Sequence, residues 1–311
     1  MMKRKGLQEN CDVSISPFVR SIVQTKLLKK RSFLGGVINY LPIIPFSFFI
    51  IFFILLPLTF ILITSLKKPE GLTFEFYKAL ASSTYLDALK NSIIVSLTTT
   101  AIGAISGVPA AFAVTFIRNP ILKRLVITFF GVAANFAGVP LAFAFIILFG
   151  YSGIFTLLFK NVSKDLTNIF NLYSLKGLIA VYIYFQIPLM ILLLLPAINA
   201  IKKEWIEVSM TMGATPFFFW KNVGIPIITP AILGSSAILF ANSFGAYATA
   251  FALMGARINL LPIQVSLATA GNVGYEPGEA SATAIIMVII LSITVLVYLK
   301  VQGRVRTWLR L

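Results

Sequence analysis

The sequence predicts an all-α, polytopic membrane protein with six transmembrane helices, and three observations predict it. Of its 311 residues, 58% are hydrophobic and only 12% are charged, against about 45–50% and about 25% in ordinary soluble domains. With a mean hydropathy of +0.93, the apolar surface exceeds what one core of this size can hide, so lipid must act as solvent for much of the chain. Six stretches are each long and apolar enough to cross a bilayer, and the ten-residue alternating segments of a membrane barrel are absent.

The same numbers exclude a disordered chain. Cys11 is the only cysteine and there is no histidine, which rules out a disulfide scaffold and argues against a zinc or iron–sulfur site. The formal net charge is +16. Its lysines and arginines lie almost entirely outside the apolar stretches, so the charge reads as membrane topology rather than nucleic-acid binding.

The elements follow in order. Residues 1–37 form a basic N-terminal segment. Within it, Ser16-Pro17 reads as an N-cap followed by a first-turn proline. Phe18, Val19, Ile22, Val23 and Leu27 then share one face of a short helix suited to the membrane surface. Residues 38–301 form the spanning domain. Its predicted spans are roughly Asn39–Leu66, Asn91–Phe116, Leu125–Gly150, Gly177–Ile198, Ile227–Met254 and Ser281–Val301, with Lys300 the only charged residue in any of them. Residues 302–311 form a C-terminal tail. Segments on the N-terminal side of the membrane carry 18 Lys+Arg and those on the other side 8. Both termini, and the loop 199–226, are therefore expected in the cytoplasm.

Packing between spans needs small residues, because lipid supplies little hydrophobic drive. Gly103, Gly107 and Ala111 form such a row in the second span; Gly131, Ala134 and Gly138 do so in the third, and Gly234, Ser235, Gly245 and Ala246 in the fifth. Prolines recur in most of the spans, which suits kinked helices. Polar residues at membrane depth are few. Asn135, Gln186, Ser235, Asn242 and Tyr247 are the candidates for lining a solute pathway, with Thr249 on the face of Asn242 and Ser235. Hydrogen bonding between helices accounts for the same residues equally well.

The loop 199–226 is the most informative segment. Ile201, Trp205, Val208 and Met212 recur as an apolar stripe on a short helix, which Gly213 ends. Thr215-Pro216 then caps a second short helix, which Pro226 is expected to end. So apolar a surface outside the membrane calls for a partner. The loop resembles the E-A-A-x3-G-x9-I-x-L-P motif of permease subunits of binding-protein-dependent ABC importers. Glu207 is followed by Val208 and Ser209 in place of two alanines, Gly213 falls at the motif's glycine, and Val223-Gly-Ile-Pro226 stands for I-x-L-P. Asn135-Phe-Ala-Gly-Val-Pro140 and Gly245-Ala-Tyr-Ala-Thr-Ala resemble the spermidine/putrescine, iron and thiamine-type members.

That resemblance implies a type I importer permease bundle in a bacterial inner membrane. It implies that Trp205, Glu207, Val208, Ser209, Met212, Gly213, Ala214 and Pro226 form the loop that engages ABC ATPase subunits. ATP and magnesium would be held by those partners, since this chain has no Walker A pattern and no cofactor of its own. It further implies a second permease, more readily a different chain than a copy, and an extracytoplasmic binding protein, with a small solute such as a polyamine as cargo. A secondary transporter or channel is the alternative. It calls for charged relays at mid-depth, and the predicted spans have none.

Overall fold

The computed structural model describes residues 43–68, 71–162, 171–270 and 276–309. The predicted surface helix after Ser16-Pro17, Cys11 and the rest of the basic N-terminal segment lie outside the described residues. The chain divides into two units, residues 1–60 and 61–311.

In the first unit, the described residues belong to helix α1 (Ile43–Leu66). Its side chains are exposed nearly all round, as expected of a helix whose solvent is hydrocarbon. The Phe48–Phe52 and Phe49–Phe53 rings pack one turn apart at 4.3 and 4.7 Å. A π turn, Ile51–Leu55, sits just before Pro57. A proline ring crowds the carbonyl four residues earlier, and the wider turn relieves that contact without breaking the helix.

Among its described residues, the second unit is helical apart from one antiparallel pair of two-residue strands, β1 (Lys67–Lys68) with β2 (Gly71–Leu72), and short connections. The helices are α2 (Glu75–Ala79), α3 (Ser83–Thr115), α4 (Pro120–Asn135), α5 (Val139–Phe149), α6 (Ile154–Val162) and α7 (Leu175–Asn199). They continue with α8 (Lys203–Thr211), α9 (Pro216–Phe244), α10 (Ala248–Met254), α11 (Leu261–Ala270) and α12 (Pro277–Leu309). Six helices among the described residues are long and apolar enough to cross a membrane: Ile43–Leu66, Ser83–Thr115, Val139–Leu158, Leu175–Asn199, Pro216–Phe244 and Pro277–Gly303.

The number matches the sequence reading, but two predicted spans are not continuous. The third, Leu125–Gly150, breaks at Phe136–Gly138 between α4 and α5. Gly138 has φ +78°, a conformation that side chains resist, and Pro140 brings no N–H to the turn that follows. The fifth, Ile227–Met254, breaks at Gly245–Tyr247 between α9 and α10. Beyond α10 the chain turns again at Gly255, φ +58°, and α11 leaves bent by 73°. Apolarity alone does not reveal such breaks, because both halves remain hydrophobic.

Helices α3 and α7 form the spine. A Cβ at Gly103 would lie 2.9 Å from a Leu239 methyl and 3.3 Å from Gln186 Cβ, and one at Gly107 would lie 2.7 Å from Met190 Cβ. These glycines therefore set how closely α7 and α9 approach α3, with Ala111 fully buried on the same row. Gly234 makes room for the Tyr298 ring of α12. Gly131 does not do the expected work: a Cβ there would meet nothing within 4 Å, and Ala133 rather than Ala134 is the buried residue of that turn.

Two apolar clusters stack along the spine. One joins Leu141 and Ala142 of α5, Ala250 and Leu253 of α10, and Leu178 to Phe185 of α7. The other joins Ala111 and Val114 of α3, Met190 to Ile198 of α7, and Ile228 and Leu239 of α9, with Val126, Ile127 and Phe130 of α4 against it. The first lies toward the end that carries residues 255–262, here the cap end. The second lies toward the end that carries residues 200–215, the loop end.

Candidate functional site

At the loop end, α8 is only nine residues long. It finishes in a Schellman turn: Ala214 N–H donates to Ser209 O at 3.0 Å, and Gly213 N–H to Met210 O at 2.9 Å. Gly213 carries the required left-handed conformation, φ +84°, and a Cβ there would meet nothing within 4 Å. Its constraint is therefore backbone conformation and not space. Thr215 then caps the next helix, accepting from Phe218 N–H at 3.2 Å, with Pro216 in the first turn.

That second helix is not a separate short piece. Pro226 does not end it; the chain runs on into the fifth span as α9. A π turn, Trp220–Gly224, sits just before Pro226, the same device that precedes Pro57. Gly224 gives it room, because a Cβ there would fall on the Trp220 ring. That ring stands edge-on to Phe112 of α3 at 4.8 Å and ties the root of the loop to the bundle. Trp220 and Gly224, one helical turn apart, escaped the sequence reading; a large ring four residues from a glycine is the signal that could have found them.

The predicted apolar stripe is divided. Ile201 precedes α8 and packs against the loop-end cluster. Trp205 and Val208 point outward, and Met212 is 84% exposed. With Met210, Phe217 (76% exposed) and Phe218 they form an apolar surface that the described residues do not cover. Glu207 is exposed on the same helix. Ser209 donates to Ile206 O, and Ala214 is partly buried at the turn.

The five polar candidates separate. Gln186 is 0% exposed; its Nε2 donates to Leu239 O at 2.8 Å while Oε1 has no partner. Ser235 is buried between helices. Asn135 is exposed at the end of α4 and donates to Gly131 O at 2.8 Å. Asn242 is exposed on α9. Tyr247 is half-buried in the second break, its hydroxyl accepting from Ser266 at 2.8 Å. Ser235 and Asn242 share α9, but Ser235 is buried while Asn242 is exposed, and Thr249 lies beyond the break and is buried, so the three do not line one open face. Among the described residues no cluster of His, Cys, Asp or Glu could hold a metal ion.

At the cap end the polar groups are paired across long stretches of sequence. Asn259 Nδ2 donates to Thr84 O at 2.7 Å, and Asn91 Nδ2 to Asn259 O at 3.1 Å. Gln264 Nε2 donates to Asn259 Oδ1, and Leu261 N–H to Ser92 Oγ. The Tyr85 hydroxyl donates to Glu279 at 2.9 Å, and Gly278 leaves room for the Phe76 ring.

No family model matches the chain. Among curated proteins it is similar to the trehalose transport system permease SugB of Mycobacterium tuberculosis, 27% identical over 78% of this chain and 87% of SugB. It is similar to the spermidine/putrescine permease PotB of Haemophilus influenzae, 25% identical over 68% and 76%. It is similar also to the molybdenum permease ModB of Mycobacterium bovis, 22% identical over 71% and 81%. Among solved structures, a chain of a bacterial ABC transporter that imports alginate shares its fold, with a TM-score of 0.70 and 17% identity over 90% of this chain and 99% of that one. A bacterial alginate ABC transporter solved in complex with an alginate pentasaccharide-bound periplasmic protein shares the fold as well, with a TM-score of 0.69 and 14% identity over 86% of this chain and 94% of that one. Relatives and fold agree: the curated relatives are permease subunits of ABC transport systems, and the fold is that of an ABC importer's transmembrane subunit.

Proposed function

We propose that this permease takes its energy from a separate ABC ATPase, which docks on the surface formed by Trp205, Val208, Met212 and Phe217. The observation that carries this reading is the exposed apolar face around the Gly213 turn. A surface of this kind at the end of a membrane bundle is stable in water only when covered, and the Trp220 ring anchors it to α3. Movement of a docked partner thus has a stiff path into the spans. Glu207 would add a charge-assisted hydrogen bond, and the partner would hold ATP and magnesium.

In this reading both termini face the cytoplasm, on the 18-to-8 distribution of basic residues. A cysteine introduced at Ser82, exposed at the cap end, then reacts with an impermeant reagent added to intact cells, while Cys11 does not. A second, different permease completes the route, with Asn135 and Asn242 the polar side chains best placed to meet it or the solute. Gln186 and Ser235 serve packing between helices instead. A binding protein docks at the cap end. The cargo is a small solute. A polyamine is one candidate beside a sugar or an oxyanion, since the named relatives carry all three classes.

The test is recovery of the ATPase with the tagged permease in detergent, followed by ATP hydrolysis in vesicles. Spermidine, trehalose and molybdate are each supplied with the binding protein. Stimulation by one of them assigns the cargo class. A permease that recovers no ATPase and still moves solute down an ion gradient would be the secondary transporter instead.

A further inference from the structure

The two broken spans meet at their breaks. Both inner pieces end on the same spacing, Asn135-Phe-Ala-Gly138 and Asn242-Ser-Phe-Gly245. Gly138 N–H, at the head of α5, donates to Thr249 Oγ1 in the first turn of α10 at 2.8 Å. Thr249 is 2% exposed and Gly138 is partly buried, so the acceptor side of that bond is shielded. The Tyr182 hydroxyl of α7 donates to Ala246 O in the second break at 2.6 Å. Beyond the breaks, α5 and α10 share the cap-end cluster with α7, whereas α4 and α9 pack into the loop-end cluster. Among the described residues, α3 and α7 pass both clusters unbroken.

We propose that Thr249 is a positioning residue: its hydroxyl holds the two breaks in register, so that α5 and α10 move as one body against α4 and α9. A backbone N–H at a helix break has lost its helical acceptor and must find another when buried. Here it finds one on the neighbouring broken span rather than on its own. Bending at Gly138 without a matching displacement at Gly245–Tyr247 would leave that partly buried donor without its acceptor. The bond therefore favours joint movement and disfavours independent bending. The inference does not depend on how ATP energy enters, because the bond, the breaks and both clusters lie within this chain.

The experiment uses the full chain in lipid nanodiscs with Cys11 replaced by serine. One pair of nitroxide labels sits at Ile147 on α5 and Phe251 on α10, and a reference pair at Leu97 on α3 and Tyr184 on α7; all four positions are exposed. The unmodified hydroxyl should give a single narrow distance between α5 and α10. Thr249→Val keeps the shape and removes the acceptor; its α5–α10 distance should broaden or split while the reference pair stays narrow. Thr249→Ser keeps the hydroxyl and should restore the narrow distance. An unchanged distance in the valine variant would overturn the proposal. So would equal broadening with serine, or broadening of the reference pair as well, because either assigns the residue to general packing.

Discussion

The two ends of the bundle solve the same problem in opposite ways. At the cap end, hydrogen bonds donated by Asn91, Asn259 and Tyr85 and one accepted by Ser92 join residues 168 to 194 positions apart. At the loop end, the side-chain bonds of Ser209, Thr211, Thr215 and Asn222 all reach residues three or four positions away. The cap closes on itself. The loop is locally well formed, yet it leaves Trp205, Val208, Met212 and Phe217 uncovered. On the proposed reading, an end that uses its polar groups on its own turns and leaves its apolar ones outside is completed by another protein.

The largest expected effect comes from placing a charge on that uncovered surface. Val208→Asp should leave insertion and thermal stability unchanged, because the side chain is already exposed. In the ATPase complex the carboxylate would be buried without a partner, at a cost of about 3 kcal/mol or more, on the order of a hundredfold in affinity. Pull-down of the ATPase with the tagged permease measures it. Normal recovery of the ATPase would mean that the partner covers a different face.

The cap responds in the opposite sense. Asn259→Ala removes a donor to Thr84 O and an acceptor from Gln264. These groups are only partly buried, so water replaces some of the loss and the cost is about 1 kcal/mol. The melting midpoint should fall while ATPase recovery stays normal. A loss of ATPase recovery without a fall in midpoint would show that the two ends are not separable in this way.

The smallest effect belongs to Glu207. It is exposed, and an exposed ion pair contributes about 0.2–1 kcal/mol. Glu207→Ala should therefore weaken ATPase recovery only a few-fold, by titration in detergent. A loss as large as that of Val208→Asp would place the carboxylate in a buried pair in the complex.

Much of this contrast was legible in the sequence. Composition and six uninterrupted apolar runs gave the membrane and the count of spans, because the bilayer imposes length and apolarity directly. Gly213 and Thr215-Pro216 were legible as a stop and a start, since both act through local backbone geometry. The breaks at Gly138 and Gly245–Tyr247 were not. A helix interrupted in lipid keeps its hydrophobicity, and the bonds of Gly138 and Ala246 to Thr249 and Tyr182 satisfy backbone groups that the interruption frees. Pro226 misled for a related reason, because a π turn held by Trp220 and Gly224 carries the helix past it. The separation of Thr249 from the face of Ser235 and Asn242 follows from the break, and no helical periodicity could have foreseen it.

The central claim is that the Gly213 turn presents a coupling surface, and one substitution tests it most directly. Gly213→Val forces a β-branched residue into φ +84°, a strain of about 1–2 kcal/mol or more. No other described residue is touched, because a Cβ there meets none of their atoms within 4 Å. Gly213→Asn serves as the reference, since asparagine tolerates the left-handed region. The measurement is ligand-stimulated ATP hydrolysis by the reconstituted complex at equal membrane expression. The account predicts that the valine variant inserts normally but loses stimulated hydrolysis, while the asparagine variant keeps most of it. Full stimulated hydrolysis by the valine variant would contradict the assignment of this loop as the element that couples ATP to the spans.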